Sequence, residues 1–200
     1  MEKKIVLFVI LDKYADWEAA YLSTLILALG NDKYSVKTVS LTKNIVESLG
    51  GFNVVPDYDI QSAPTDFDAL VLIGGMSWRN EEALKVKPLV ENALNNGKVL
   101  GAICDASAFL GTIGVLNNVR HTSNDLNDMK QWAKAVYTGE DKYFMQQVVR
   151  DNNVITANGT ATLEFAKEVL IALKAAPENK INEWYNFYKF GFYKATMPSM

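Results

Sequence analysis

The chain has 200 residues, 49% of them hydrophobic and 22% charged, with a formal net charge of −3. That length suits one domain with a sizeable core, and the acidic balance lacks the basic footprint of a nucleic-acid binder. A single cysteine excludes an internal disulfide, in keeping with a reducing compartment.

The chain opens with two lysines and the apolar run IVLFVIL. No small-residue cleavage site follows it, as a signal peptide would require, and the run is too short to span a bilayer. Residues 4–11 are therefore read as a first buried strand, and the protein as cytoplasmic with no membrane partner. Residues 16–30 follow as a helix closed by Gly30, and residues 34–41 as a second strand with period-two alternation. NIVES and FNVVPD flank Gly50-Gly51, which predicts a short hairpin. DALVLIGG (68–75) is a continuous apolar run ending in paired glycines. Residues 80–97 are predicted to be a helix, with Pro88 as a kink or local break. KVLGAI (98–103) reads as another buried strand and ASAFLGTIGVL as the helix after it. Beyond a polar segment, two strands joined at Asp151-Asn152-Asn153 lead to a long helix over 160–176.

Apolar strands alternating with helices imply a parallel sheet covered on both faces. The expected fold is α/β, a three-layer αβα sandwich with a mainly parallel, flavodoxin-like sheet and a nucleophile elbow. No repeat or linker divides it: residues 1–176 form the domain and 177–200 a C-terminal aromatic helical extension of it. In that extension Ile181, Trp184, Tyr185 and Tyr188 make one apolar helical stripe. The stripe is read as packing on its own domain, with a subunit contact as the alternative.

Ligands of open parallel sheets bind outside the carboxyl ends of the strands. Cys104 sits at such an end, directly before a helix whose N-terminus favours a thiolate, in the strand–nucleophile–helix arrangement of hydrolases with a nucleophile elbow. Gly74-Gly75 ends the preceding strand, where backbone N–H groups approach a substrate oxygen unobstructed. Glu18 lies in the first helical turn after strand one and could reach the same crevice.

VLIGGMSW, GAICDASAFLG and VVRDNNVITANGTATLEFAKEV, in this order, resemble the DJ-1/PfpI family of the class I glutamine amidotransferase-like fold. DWEAAYLSTLILAL resembles the segment in which that family places a glutamate beside its cysteine, and the likeness runs from about residue 4 to residue 175. It implies Cys104 as nucleophile, Glu18 as its carboxyl partner, the Gly75 and Asp105 N–H groups as an oxyanion hole, and a homodimer. A protonated Glu18 donating to the sulfur would make Cys104 acidic and open to oxidation.

Peptidase-like members of the family carry histidine directly after the nucleophile, where this chain has Asp105. Aspartate cannot act as an imidazole base, so Asp105 is read as capping its helix, with orientation of His121 as the alternative. No histidine follows His121, which rules out the glutaminase triad of the wider fold. His121, in the loop after the elbow helix, is the candidate proton shuttle, although the family's histidine position aligns closer to Asn124. Met76 and Trp78 are candidate pocket residues beside Gly74. The letters LIGG make no dinucleotide fingerprint, and one histidine with one cysteine makes no closed zinc site, so neither cofactor nor metal is expected. The function read from this set is a cysteine-dependent enzyme acting on a small carbonyl or amide compound, a hydrolase or glyoxalase-type enzyme. The alternatives are a non-catalytic redox or stress-protective protein using the same thiol, and a degenerate binding module.

Overall fold

Alternation along the first strand decides the layering. In the computed structural model, which describes residues 3–198, β1 (Lys4–Val9) turns Val6 and Phe8 to one side and Leu7 and Val9 to the other, all four buried. A strand buried on both faces belongs in the middle of a covered parallel sheet. Its neighbours are β2 (Tyr34–Ser40) and β6 (Ala69–Leu72), both parallel to it. The sheet is completed by β5 (Tyr58–Asp59), β7 (Val99–Ile103), β8 (Val148–Asp151) and β9 (Val154–Ala157), in the order β5–β2–β1–β6–β7–β9–β8. Only the edge strand β8 runs antiparallel in this sheet. The central run β2–β1–β6–β7–β9 is the flavodoxin-like order, and it reverses direction at β1, so a crevice opens between the carboxyl ends of β1 and β6.

The face carrying Val6 and Phe8 is covered by α1 (Asp16–Leu29) and α5 (Thr162–Leu173), and the other by α2 (Lys87–Asn95), α3 (Asp105–Thr112) and α4 (Leu126–Ala133). The hairpin about Gly50-Gly51 is present as β3 (Val46–Glu47) and β4 (Asn53–Val54), tied to the start of α1 by Gly50 N–H donating to Asp16 Oδ2 at 2.8 Å. None of the helices is long and apolar enough to cross a membrane among the described residues.

The structure departs from the sequence expectations in several places. The helix expected over 80–97 is broken: a 3-10 stretch at Glu81–Val86 precedes α2, whose first turn holds Pro88, where a missing N–H costs nothing. The helix after Cys104 starts one residue early, at Asp105, and stops at Thr112, because Gly114 at φ 77° redirects the chain into a 3-10 turn. The polar segment hides α4, capped by Asp125 accepting from Asp128 N–H at 2.7 Å.

The extension forms α6 (Glu178–Phe190), which lies on α1 and α5 of its own chain. Tyr21 Oη donates to the Trp184 carbonyl, the Tyr21 and Tyr188 rings meet edge-on at 4.7 Å, and Tyr185 Oη donates to Glu164. The termini of the two expected spans, residues 1–2 and 199–200, lie outside the described residues. Ile181 is the buried anchor of α6. Ile181→Ala is expected to cost about 2–4 kcal/mol, read as a lower urea midpoint with an unchanged slope.

Candidate active site

Cys104 follows β7 at φ 62°, ψ −134°, and α3 begins with the next residue. A side-chain-bearing residue rarely takes this conformation, and here its surroundings hold it there. Cys104 N–H donates to the Ala157 carbonyl at 3.0 Å, and its own carbonyl accepts from Ser107 N–H at 3.0 Å. Ser107 Oγ in turn lies 2.8 Å from the Ala102 carbonyl and 2.9 Å from that of Ala157. The turn lifts the sulfur out of the sheet, half-buried.

Glu18 is fully buried, an unusual state for an acid at the start of a helix. Its Oε2 accepts from Gly74 N–H at 2.8 Å, while Oε1 has no nitrogen or oxygen partner and faces the Cys104 thiol. Gly159 closes the site: a Cβ there would lie 2.9 Å from the sulfur and 3.2 Å from Glu18 Oε1, so only glycine leaves room for the pair. Burial pushes the Glu18 carboxyl up to about 7, against the pull of Gly74 N–H. Burial, reinforced by the Glu18 charge, pushes the thiol up to about 11, opposed by donors from Asn124 and the Asp105 N–H. Burial thus disfavours the charged form of both groups, and the carboxyl and the thiol titrate as one coupled pair.

Gly75 lies just beyond β6, and Asp105, whose N–H donates to the thiol, opens α3. Gly75 takes φ 150° and passes so close to Lys13 and Tyr14 that a Cβ would strike their backbone. The bonds that hold its loop run from Ala15 N–H to the Gly74 carbonyl and from Met76 N–H to the Lys13 carbonyl, leaving the Gly75 N–H outside them. Gly74 lies flush against the Cys104 Cβ and the Glu18 carboxyl. Met76 is exposed, whereas Trp78 is buried and donates its indole N–H to the Ile73 carbonyl at 2.7 Å.

His121 is not brought to the thiol. Its ring is buried, with Nδ1 2.7 Å from the Val119 carbonyl and Nε2 2.8 Å from Tyr137 Oη, between the edges of Tyr137 and Tyr143. Burial pushes its pKa down, which keeps the imidazole neutral in a packing role. Asn124 occupies the expected histidine's place: Nδ2 donates to Cys104 Sγ at 3.3 Å, and Oδ1 accepts from Gly159 N–H at 2.8 Å. That second bond fixes which end of the amide meets the sulfur. Asp105 neither caps α3 nor touches His121. It pairs with Arg79, whose Nε sits 2.8 Å from Oδ2, while the other edge of the guanidinium grips Asp128 at 2.5 and 3.1 Å. This ion pair offsets an acid beside the thiol. Arg79, Asp128 and Gly159 carry no local signal in the sequence, because each comes from a turn or short helix remote from Cys104. Asn124→Ala is expected to slow iodoacetamide alkylation of Cys104 at about pH 8 by roughly tenfold, because a donor to the thiolate worth about one pKa unit is lost.

Comparison with known proteins bears on the family and the fold. The family model described as DJ-1/PfpI family matches residues 3–172. A Bacillus subtilis (strain 168) protein described as "Uncharacterized protease YdeA" is 40% identical over 191 residues, spanning 95% of this chain and 93% of that protein. The crystal structure of the DJ-1 superfamily protein Atu0886 from Agrobacterium tumefaciens superposes with a TM-score of 0.83 at 32% identity, covering 94% of this chain and 99% of that one. The thiJ/pfpI family protein from Bacillus anthracis gives 0.85 at 32% identity, over 94% and 92% of the two chains.

Proposed function

The chain belongs to the DJ-1/PfpI family, and we propose that it is a cysteine-dependent enzyme acting on a small carbonyl or amide compound, with Cys104 as nucleophile. One observation carries the reading: the unpartnered Glu18 oxygen faces a thiol held on a strained turn. A carboxyl that titrates at about 7 is half ionised at neutral pH and suits a general base there. As the sulfur–carbon bond forms, the thiol proton passes to Glu18 Oε1 and the carbonyl electrons move onto oxygen. The Gly75 and Asp105 N–H groups receive that oxyanion. With an aldehyde the product is a hemithioacetal. With an amide, the carbon–nitrogen bond then breaks and Glu18 returns the proton to the departing nitrogen, leaving a thioester for water to hydrolyse. Asn124 carries no titratable proton, so Glu18 handles every transfer. A cytoplasmic homodimer belongs to the same reading.

The second reading, a non-catalytic redox or stress-protective protein, is favoured by the absence of any imidazole at the thiol, since both nitrogens of His121 are engaged elsewhere. Wild type and Cys104→Ala assayed with methylglyoxal and with small amides and peptides separate the two. Turnover by wild type alone supports the enzyme. No turnover on the panel, with stoichiometric oxygen addition at Cys104 after mild peroxide, replaces it with the redox reading.

A further inference from the structure

The Arg79 guanidinium joins three segments that each carry or adjoin a group of the thiol site. Arg79 ends the 3-10 stretch Met76–Arg79, which follows Gly75 directly. Its Nε lies 2.8 Å from Asp105 Oδ2 and its Nη2 3.4 Å from Oδ1, at the first residue of α3. Nη1 and Nη2 reach the Asp128 carboxylate in the first turn of α4, at 3.1 and 2.5 Å, and the Trp132 ring centre is 5.0 Å from the guanidinium carbon. The helix α4 follows Asn124 and its cap Asp125 without a break. All three guanidinium nitrogens are engaged by two carboxylates, and a fork held in that way is not offered to a substrate.

Two acids face the sulfur, Glu18 from α1 and Asp105 from α3, whereas Asn124 and Gly159, from the loops that close the site, are neutral. Asp105 Oδ1 lies 3.5 Å from Asn124 Nδ2, which itself donates to the sulfur at 3.3 Å, so the carboxylate stands one amide away from the thiol. An unpaired charge there would oppose a thiolate and compete for the amide hydrogens that stabilise it. Exposed ion pairs usually contribute little, but a guanidinium shared by two acids in fork geometry keeps its place. We propose that Arg79 is a positioning residue of the thiol site: it holds and neutralises the Asp105 carboxylate, and so sets how readily Cys104 reacts. The proposal deepens the reading of Cys104 as a nucleophile and rests on that reading for the reactivity of the sulfur alone, not for turnover of any compound.

The test is the pH profile of iodoacetamide alkylation, followed by mass on the full chain, whose single cysteine makes the label unambiguous. Alkylation needs no substrate, so its outcome is separate from that of the turnover panel. Arg79→Gln, which removes the charge and keeps a donor, is expected to raise the alkylation midpoint of the Glu18–Cys104 pair by about one pH unit, a roughly tenfold slower reaction below the midpoint. Arg79→Gln combined with Asp105→Asn should bring the midpoint back to the wild-type position, because the charge to be neutralised is gone. That double variant breaks the clamp as fully as Arg79→Gln does, so a purely structural role would leave it as slow. Asp128→Asn frees the guanidinium from α4 but leaves it on Asp105, and Arg79→Lys keeps the charge without the fork. Both should stay closer to wild type than to Arg79→Gln. A midpoint not raised in Arg79→Gln, no recovery in the double variant, or Asp128→Asn or Arg79→Lys lying closer to Arg79→Gln than to wild type would each overturn the proposal.

Discussion

Cys104→Gly is expected to abolish turnover and yet to yield a more stable protein than Cys104→Ala. Both substitutions delete the sulfur, so both remove the only atom able to attack a carbonyl. They differ in what the backbone then bears. At φ 62°, ψ −134°, alanine keeps a Cβ in a region that disfavours one, at about 1–3 kcal/mol. Glycine takes the same angles freely, and loses about 0.5–1 kcal/mol of that advantage through the greater freedom of its unfolded chain. The difference favours glycine by about 1 kcal/mol, opposite in sign to the usual ranking of the two residues in a regular element. Thermal or urea unfolding of the two variants reads it directly. Alanine emerging as the more stable would mean that the elbow turn relaxes once the sulfur is gone, and that strain is not what presents the thiol.

Glu18→Gln is expected to lower kcat/KM by about 10²–10⁴, the usual share of a general base, and to change how the protein responds to pH. In the wild type kcat/KM should climb with pH through about 7, where Glu18 loses its proton. Stability should move the other way. The Glu18 carboxyl is raised from 4.5 to about 7 in the folded state, so between those values the native protein holds a proton that the unfolded chain has released. The stabilisation is fully present below 4.5 and lost as pH rises through 7, a change of about 3 kcal/mol at most. The amide that replaces the carboxyl in the variant does not titrate, so this component of the slope should vanish. Unfolding midpoints across that pH window, measured for both proteins, give the comparison. An unchanged slope would remove Glu18 from the role of buried, titrating base.

Much of this was legible in the amino-acid sequence. The apolar runs of β1, β6 and β7, the alternation of β2 and the helical stripe of α6 each express what burial imposes on one element. A lone cysteine between an apolar strand and a helix reports its own position in the fold, and Glu18, in the first turn after strand one, points to the same edge of the sheet. Short elements escaped for the converse reason. Two-residue β5 and polar α4 hold too few apolar positions to show a period.

What the sequence by itself determined is the layered parallel sheet and the strand end that carries the thiol, with Glu18 as a candidate for the same crevice; its burial shows only in the tertiary structure. Only the tertiary structure decided which groups complete the site. Asn124, rather than His121, meets the sulfur because the ring of His121 is consumed by Val119 and Tyr137 three residues earlier in the same segment. Asp105 serves Arg79 rather than its own helix. Burial and the neighbouring Glu18 carboxylate push the thiol up, against donors from Asn124 and the Asp105 N–H. Loop tips obey no period, and their meeting depends on how the elements that carry them pack. The same packing sets how much water each charge loses, and that loss fixes where the proton rests.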